Sequence, residues 1–188
     1  MTAWRAVVPL KQGGNGKSRL AAVLSCEARA ALALRMAQHV LAELGKCGPV
    51  AEVAILAERR PAWWSGGWVQ DRGAGLNAEL GAWRRTVGAG PVLIVHADLP
   101  LLRASEVDQL LRVAAAQGIA LATDRAGAGS NALAIADGRA FDFRFGPASR
   151  RLHAAQAPDM PVLSPSGLAT DIDTPDDLAF ARANGFVC

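Results

Sequence analysis

Apolar runs of strand length alternate with stretches of helical period along most of this chain. Strands are predicted near 4–10, 50–56, 91–96, 119–122, 131–136 and 161–164, and helices over 25–45, 75–87, 104–117, 147–157 and 175–184. In the first helix Leu32, Met36, Val40 and Leu44 recur at every fourth position, which draws one buried stripe along it. Ser25 suits the cap at its start, and Gly45 and Gly48 mark its end. The last helix opens Thr174-Pro-Asp-Asp177, with a threonine cap, a proline in the first turn and an acid three residues on. Such alternation predicts an α/β fold, a mainly parallel sheet with helices on both faces. Ligands of these sheets bind beyond the carboxyl ends of the strands, so Lys11 after Leu10 and Asp98 after Val95 are expected to face one crevice. The turn-rich segment Trp63-Trp-Ser-Gly-Gly-Trp68 reads as a surface excursion with its rings folded back.

Composition narrows the class. The chain has 188 residues, 51% of them apolar and 20% charged, which predicts a single domain over 1–188 with a sizeable core. Its formal charge of +3 is scattered, so nucleic acid is not an expected partner. The most apolar long stretch, 28–44, is interrupted by Arg35, Gln38, His39 and Glu43, so no membrane span is expected. The opening residues lack the pattern of a signal peptide. Cys26, Cys47 and Cys188 are odd in number, far apart and outside any C-x-x-C pair. A cytoplasmic location with reduced thiols is the expectation.

Chemistry concentrates first in Lys11-Gln-Gly-Gly-Asn-Gly-Lys-Ser-Arg-Leu20. Glycines let backbone N–H groups approach an anion closely, and lysine and arginine supply charge for a polyphosphate. Gly16-Lys17-Ser18 completes the second half of a P-loop, but Lys11 stands where the first glycine belongs. A P-loop kinase or ATPase, a plain surface turn, and a nucleotidyltransferase loop gripping a triphosphate through Lys11, Lys17 and Arg19 all remain open at this point.

Carboxylates change that balance. His96-Ala-Asp-Leu-Pro100 ends the most apolar predicted strand, and Asp171-Ile-Asp173 sets two acids on the same side of an extended segment. Each also suits helix capping. Near a polyphosphate, Asp98, Asp171 and Asp173 would repel it unless a cation lay between, and Mg²⁺ takes carboxylate and phosphate oxygens. Acids at separate strand ends with a basic glycine loop fit phosphoryl or nucleotidyl transfer. A G-x-S-x-G elbow for triad hydrolysis is absent from the sequence.

The order of the motifs adds a resemblance. Val8-Pro-Leu-Lys11, Lys17-Ser-Arg-Leu20, Gly75-Leu-Asn77, His96-Ala-Asp-Leu-Pro100, Asp124-Arg-Ala-Gly-Ala-Gly-Ser-Asn-Ala-Leu133, Phe145-Gly-Pro-Ala-Ser149 with His153, and Asp171-Ile-Asp-Thr-Pro-Asp-Asp-Leu178 run nearly end to end. Together they resemble the 2-phospho-L-lactate guanylyltransferase family, which has a nucleotidyltransferase fold and makes the precursor of the deazaflavin coenzyme F-420. The resemblance implies transfer of GMP from GTP to 2-phospho-L-lactate, phosphoenolpyruvate or 3-phospho-D-glycerate, with pyrophosphate released and a downstream biosynthetic enzyme as a possible partner. It further implies that Asp98, Asp171 and Asp173 hold Mg²⁺ and that Lys17 and Arg19, assisted by Lys11, neutralise the triphosphate. By the same resemblance Lys17 and Asp98 are the catalytic pair and Asn77 contacts the nucleotide. Ser130, Gly146 and Ser149 would hold the acid's carboxylate, with Pro147 opening the helix behind them. Two departures stand out: Ser130 replaces the family's usual threonine, and Arg150-Arg151 follow Ser149 where an aromatic is common. The extra arginines would favour a more highly charged acid. His153, four residues after Ser149, is read as an orienting residue, because a phosphate dianion needs no base to attack. Nucleotidyl transfer to a molybdopterin or sugar phosphate, and a non-catalytic nucleotide-binding regulator, are the other classes considered.

Overall fold

The computed structural model describes residues 3–11 and 17–187, so the glycines of the first loop, Gly13, Gly14 and Gly16, lie outside the described residues. Among those described, β1 (Trp4–Pro9), β2 (Val50–Ala57), β3 (Gly67–Gln70), β4 (Val92–Val95), β5 (Ile119–Thr123), β6 (Ser130–Ile135) and β7 (Val162–Leu163) form one sheet. Its order is β3-β2-β1-β4-β6-β5-β7. All neighbours pair in parallel except β6, which runs antiparallel to both β4 and β5. That reversal matters for the site. Because Val95 at the end of β4 faces Ala132, and Thr123 at the end of β5 faces Ser130, β6 begins at the edge where its parallel neighbours finish.

The helices are α1 (Cys26–Gly45), α2 (Leu76–Val87), α3 (Ala104–Gln117), α4 (Ser149–Ala154), α5 (Ser166–Ala169) and α6 (Pro175–Ala183). Successive strand residues point to opposite faces, and both faces are covered, so the central strands read as unbroken apolar runs. Leu93 and Val95 of β4 pack with Val40 and Leu44 of α1 and Leu110 of α3. Their neighbours Val92 and Ile94 pack on the other face with Leu80 and Trp83 of α2, Phe143 and Phe145. At about 25 cal/mol per Å² of apolar surface removed from water, these two layers are the main stabilising term of the fold. Ser25 accepts a hydrogen bond from the Ala28 N–H, and Thr174 and Asp177 close a reciprocal cap on α6.

Three sequence expectations need correction. The helix predicted over 147–157 is shorter: Ala148 takes a left-handed backbone with φ 56°, so α4 starts at Ser149 and Pro147 lies ahead of it. Helix α5, a single turn, was not predicted. Gly67 and Trp68 belong to the edge strand β3 and not to a surface turn. The Trp64 ring nevertheless folds back, lying so close over Gly66 that a Cβ there would meet it at 2.2 Å.

Candidate active site

Three separated segments meet where the parallel strands end, and buried apolar residues bring them there. Leu20 packs against Met36 of α1 and against Ile172 and Leu178. Lys17 stands three residues before Leu20, at the head of a short 3₁₀ turn and in left-handed conformation with φ 56°. Ile172 points inward between Asp171 and Asp173, and its N–H donates to the Asp98 carbonyl at 3.3 Å. The burial of Leu20 and Ile172 therefore aligns the polar residues beside them. Lys17 Nζ donates to Asp98 Oδ2 at 2.5 Å and to Asp173 Oδ1 at 2.9 Å. Arg19 reaches Asp173 at 3.8 Å with its guanidinium mostly in solvent.

Electrostatics follow from that geometry. Burial opposes ionisation of Asp98, yet the Lys17 ammonium and the nearby His96 outweigh it and hold the carboxyl below its usual range. Burial likewise opposes the charge on Lys17, but Asp98 and Asp173 together raise its pKa above the ordinary lysine value. Asp171 behaves differently. Burial and the charges of Asp98 and Asp173 push its pKa up, against a hydrogen bond from Asn131 Nδ2 at 3.1 Å. Asn131 also donates to the Leu168 carbonyl, which fixes its amide. Thus Lys17, Asp98 and Asp173 are in direct contact, while Asp171 is in electrostatic reach but held by β6. No group of three or more His, Cys, Asp or Glu side chains among the described residues is arranged as a ready metal cage.

A cleft of about 560 Å³ opens over this cluster. Lys11, exposed just past β1, lines it together with Lys17, Asp98 and Asp173. Met36 and Leu56 make part of its apolar wall, and Asp71, Gly73 and Gly75 form the opposite rim. Glu79 of α2, almost fully buried, accepts from the N–H groups of Arg72 and Ala74 and so sets the shape of that rim.

Behind the cleft lies a second polar group. Asn77 of α2 pairs with Phe145 through both backbone groups, accepting its N–H at 2.8 Å and donating to its carbonyl at 3.0 Å. The Asn77 amide is thus engaged by the 145 loop. The Phe145 ring lies 5.2 Å from that of His96 and 4.9 Å from that of His153, centroid to centroid. Ser130 and Ser149 are both buried, and Gly146, exposed with φ 123°, accepts the Ser149 N–H. His153, fully enclosed, contacts Ser130 Oγ through Nδ1 at 3.0 Å and accepts the Arg144 N–H at Nε2 at 2.9 Å. Burial, with a smaller push from His96, lowers its pKa to about 4, so the ring is neutral at physiological pH. Arg150 donates to the Gly127 carbonyl and so braces the loop before β6, while Arg151 is exposed.

Sequence reading missed Asn131, Glu79 and His96 as site components. His96 and Asn131 stood inside quoted motifs, but only the β6 reversal shows what they touch. His96 lines the cleft with Nε2 enclosed and unpartnered. Glu79 gave one usable signal, an acid in the first turn of a helix that follows a glycine-rich turn.

Comparisons with known proteins bear on the family and the fold. A family model described as "Guanylyl transferase CofC like" matches residues 4–181. The chain is 37% identical over 196 aligned residues to the phosphoenolpyruvate guanylyltransferase of Rubrobacter xylanophilus, covering 97% of this chain and 95% of that one. In shape it is similar to a protein of Desulfovibrio desulfuricans G20 provisionally assigned as a nucleotide-diphospho-sugar transferase, with a TM-score of 0.75, 18% identity and coverage of 98% and 89%. CMP:2-keto-3-deoxy-manno-octonic acid synthetase is also similar, with a TM-score of 0.61, 14% identity and coverage of 97% and 98%. The sheet is that of the nucleotidyltransferase fold, and the chain belongs to the guanylyl transferase CofC-like family.

Proposed function

We propose that this protein transfers the guanylyl group of GTP to the phosphate of a small phospho-carboxylic acid, in the cytoplasm, as a step toward coenzyme F-420. The observation that carries this reading is the meeting of Lys17, Asp98 and Asp173 at the floor of the cleft. The cleft's volume of about 560 Å³ supports room for a base and sugar, and its lining cations Lys11 and Lys17, with Arg19 beside them at Asp173, would meet the triphosphate. Phosphoenolpyruvate is the acid in the name of the Rubrobacter relative and is the first candidate. 2-Phospho-L-lactate and 3-phospho-D-glycerate are the others.

The residues fit a divalent cation. Oxygens of Asp98 and Asp173 converge within 2.9 Å on the Lys17 ammonium, a cationic point that a metal would contest, and the other Asp98 oxygen is enclosed without a partner. Asp98 and Asp173, with Asp171 beside them, would hold Mg²⁺, which when bound offsets phosphate charge and polarises the α-phosphoryl group. The chain's own groups do the rest. A phosphate oxygen of the acid attacks the α-phosphorus and forms a P–O bond, while the bond from the α-phosphorus to the α–β bridging oxygen breaks and pyrophosphate leaves with that electron pair on the bridging oxygen. No proton has to move, so the residues orient the two anions and screen their mutual repulsion. Lys17, Arg19 and Lys11 neutralise the triphosphate, and Ser130, Gly146 and Ser149 grip the carboxylate.

Incubation with GTP, Mg²⁺ and each acid in turn tests the reading. Pyrophosphate release and a guanylylated acid, dependent on one of the three acids, are expected. Release of the γ-phosphate alone would replace this reading with a kinase or ATPase.

A further inference from the structure

Resting on that reading of the acid pocket, we infer that His153 is a positioning residue: it makes Ser130 a hydrogen-bond donor and, through the Arg144 N–H, holds the start of the loop that carries Phe145 and Gly146 in register with it. Two contacts carry the inference. The Arg144 N–H can only donate, so His153 Nε2, 2.9 Å away, must be the bare nitrogen of the neutral ring. The proton then sits on Nδ1, 3.0 Å from Ser130 Oγ, and the serine oxygen accepts it. Ser130 cannot turn its own O–H toward His153. That hydrogen is left for an oxygen approaching from elsewhere, which suits a carboxylate and not a cation.

Placement makes the same point. Ser130 opens β6, whereas Gly146 lies beyond Phe145 on a separate loop. The parts of the proposed acid pocket thus come from separate segments, and the ring nitrogens of His153 tie Ser130 to Arg144, the residue that leads into Phe145 and Gly146. Phe145 is clamped a second time by Asn77, so its backbone has little freedom to drift. His153 has no exposed surface whereas Ser130 keeps 2% of its own, so any contact with substrate falls to Ser130 and the loop, and His153 acts through them.

A double-mutant cycle tests this. KM for phosphoenolpyruvate, KM for GTP and kcat are measured for wild type, Ser130→Ala, His153→Leu and the double variant. His153→Leu should raise KM for the acid about tenfold or more while KM for GTP changes less than about twofold, the size expected for one lost bond to a charged group. In the Ser130→Ala background the same change should add less than about threefold, because the hydroxyl it orients is gone. His153→Gln, whose amide can donate at one atom and accept at the other, should recover most of the acid affinity. Multiplicative effects, or equal losses for both substrates, would overturn the inference while leaving the reaction intact. If His153→Leu does not fold, His153→Gln supplies the test: its acid KM should stay within about threefold of wild type with the Ser130→Ala penalty retained, and a loss of about tenfold in His153→Gln that persists undiminished in the Ser130→Ala background would overturn the inference. A wild-type protein inactive with every acid overturns the proposed function, and this inference with it.

Discussion

A histidine kept neutral by burial leaves a signature in the pH dependence of folding. In the unfolded chain His153 titrates near 6.5, whereas burial lowers it to about 4 in the folded protein. Between those values the unfolded state binds more protons, so stability rises with pH through that window and is lost as pH falls through it. The sign is opposite to that of a salt-bridged histidine. The gap corresponds to about 3 kcal/mol at full effect, with no discount for solvent because the ring is enclosed. Urea unfolding of wild type and His153→Leu at pH 7 and pH 4 should show wild type losing about that much more stability than the variant. Equal losses would mean that the ring is charged in the folded protein and that its tautomer is not fixed as argued. Little of this could be read from sequence. The spacing of His153 from Ser149 suggests a shared helix face, but Ser130 and Arg144 enter only through the tertiary fold. Lys11 and Asp98 were easier to single out, because a charged residue just past an apolar strand has few places to go but the crevice, and Lys17 stood out through its glycine-rich loop.

Elements were legible in proportion to their length and burial. Helix α1, twenty residues long, has a four-residue apolar spacing from Leu32 to Leu44, and α6 carries its start signal in Thr174-Pro-Asp-Asp177. Strand β3 has neither signal, since it is four residues at the sheet edge with three of them exposed and no apolar alternation to detect. Helix α5 is a single turn, too short for a helical period. Nor could sequence give the direction of β6, because a strand buried on both faces looks the same read either way. The start of α4 was misjudged for a local reason: Pro147 suggested a first helical turn, yet Ala148 adopts φ 56°. That conformation brings an L-residue's Cβ close to its backbone. Ala148→Gly should therefore raise stability by about 1 kcal/mol, less the extra freedom glycine gives the unfolded chain. Thermal unfolding checks it, and a lower midpoint would show that the methyl group makes a contact worth more than the strain it imposes.

At the scale of the whole molecule, Lys17, Asp98 and Asp173 bind together segments that the chain itself keeps 81 and 156 residues from Lys17. In the free protein the ammonium stands at the point where the two carboxylates converge, and a divalent cation would compete for that same point. A cation arriving alone must displace a tethered positive charge that has no better partner. A cation arriving with GTP meets a different balance, because the triphosphate gives Lys17 an anion of its own and releases the carboxylates. Mg²⁺ and GTP should therefore bind cooperatively, each raising the affinity of the other by the same factor. At concentrations about a hundredfold above Kd the pair should stabilise the fold by about 2.7 kcal/mol, or roughly 5–10 °C in Tm for a chain of this size. Mg²⁺ alone should shift Tm by less than about 1 °C, and GTP with a chelator by clearly less than the pair. In Lys17→Met the competing charge is gone, so Mg²⁺ alone should then stabilise the protein. A full shift with Mg²⁺ alone in wild type, or no response to it in Lys17→Met, would show that Lys17 does not guard the carboxylates.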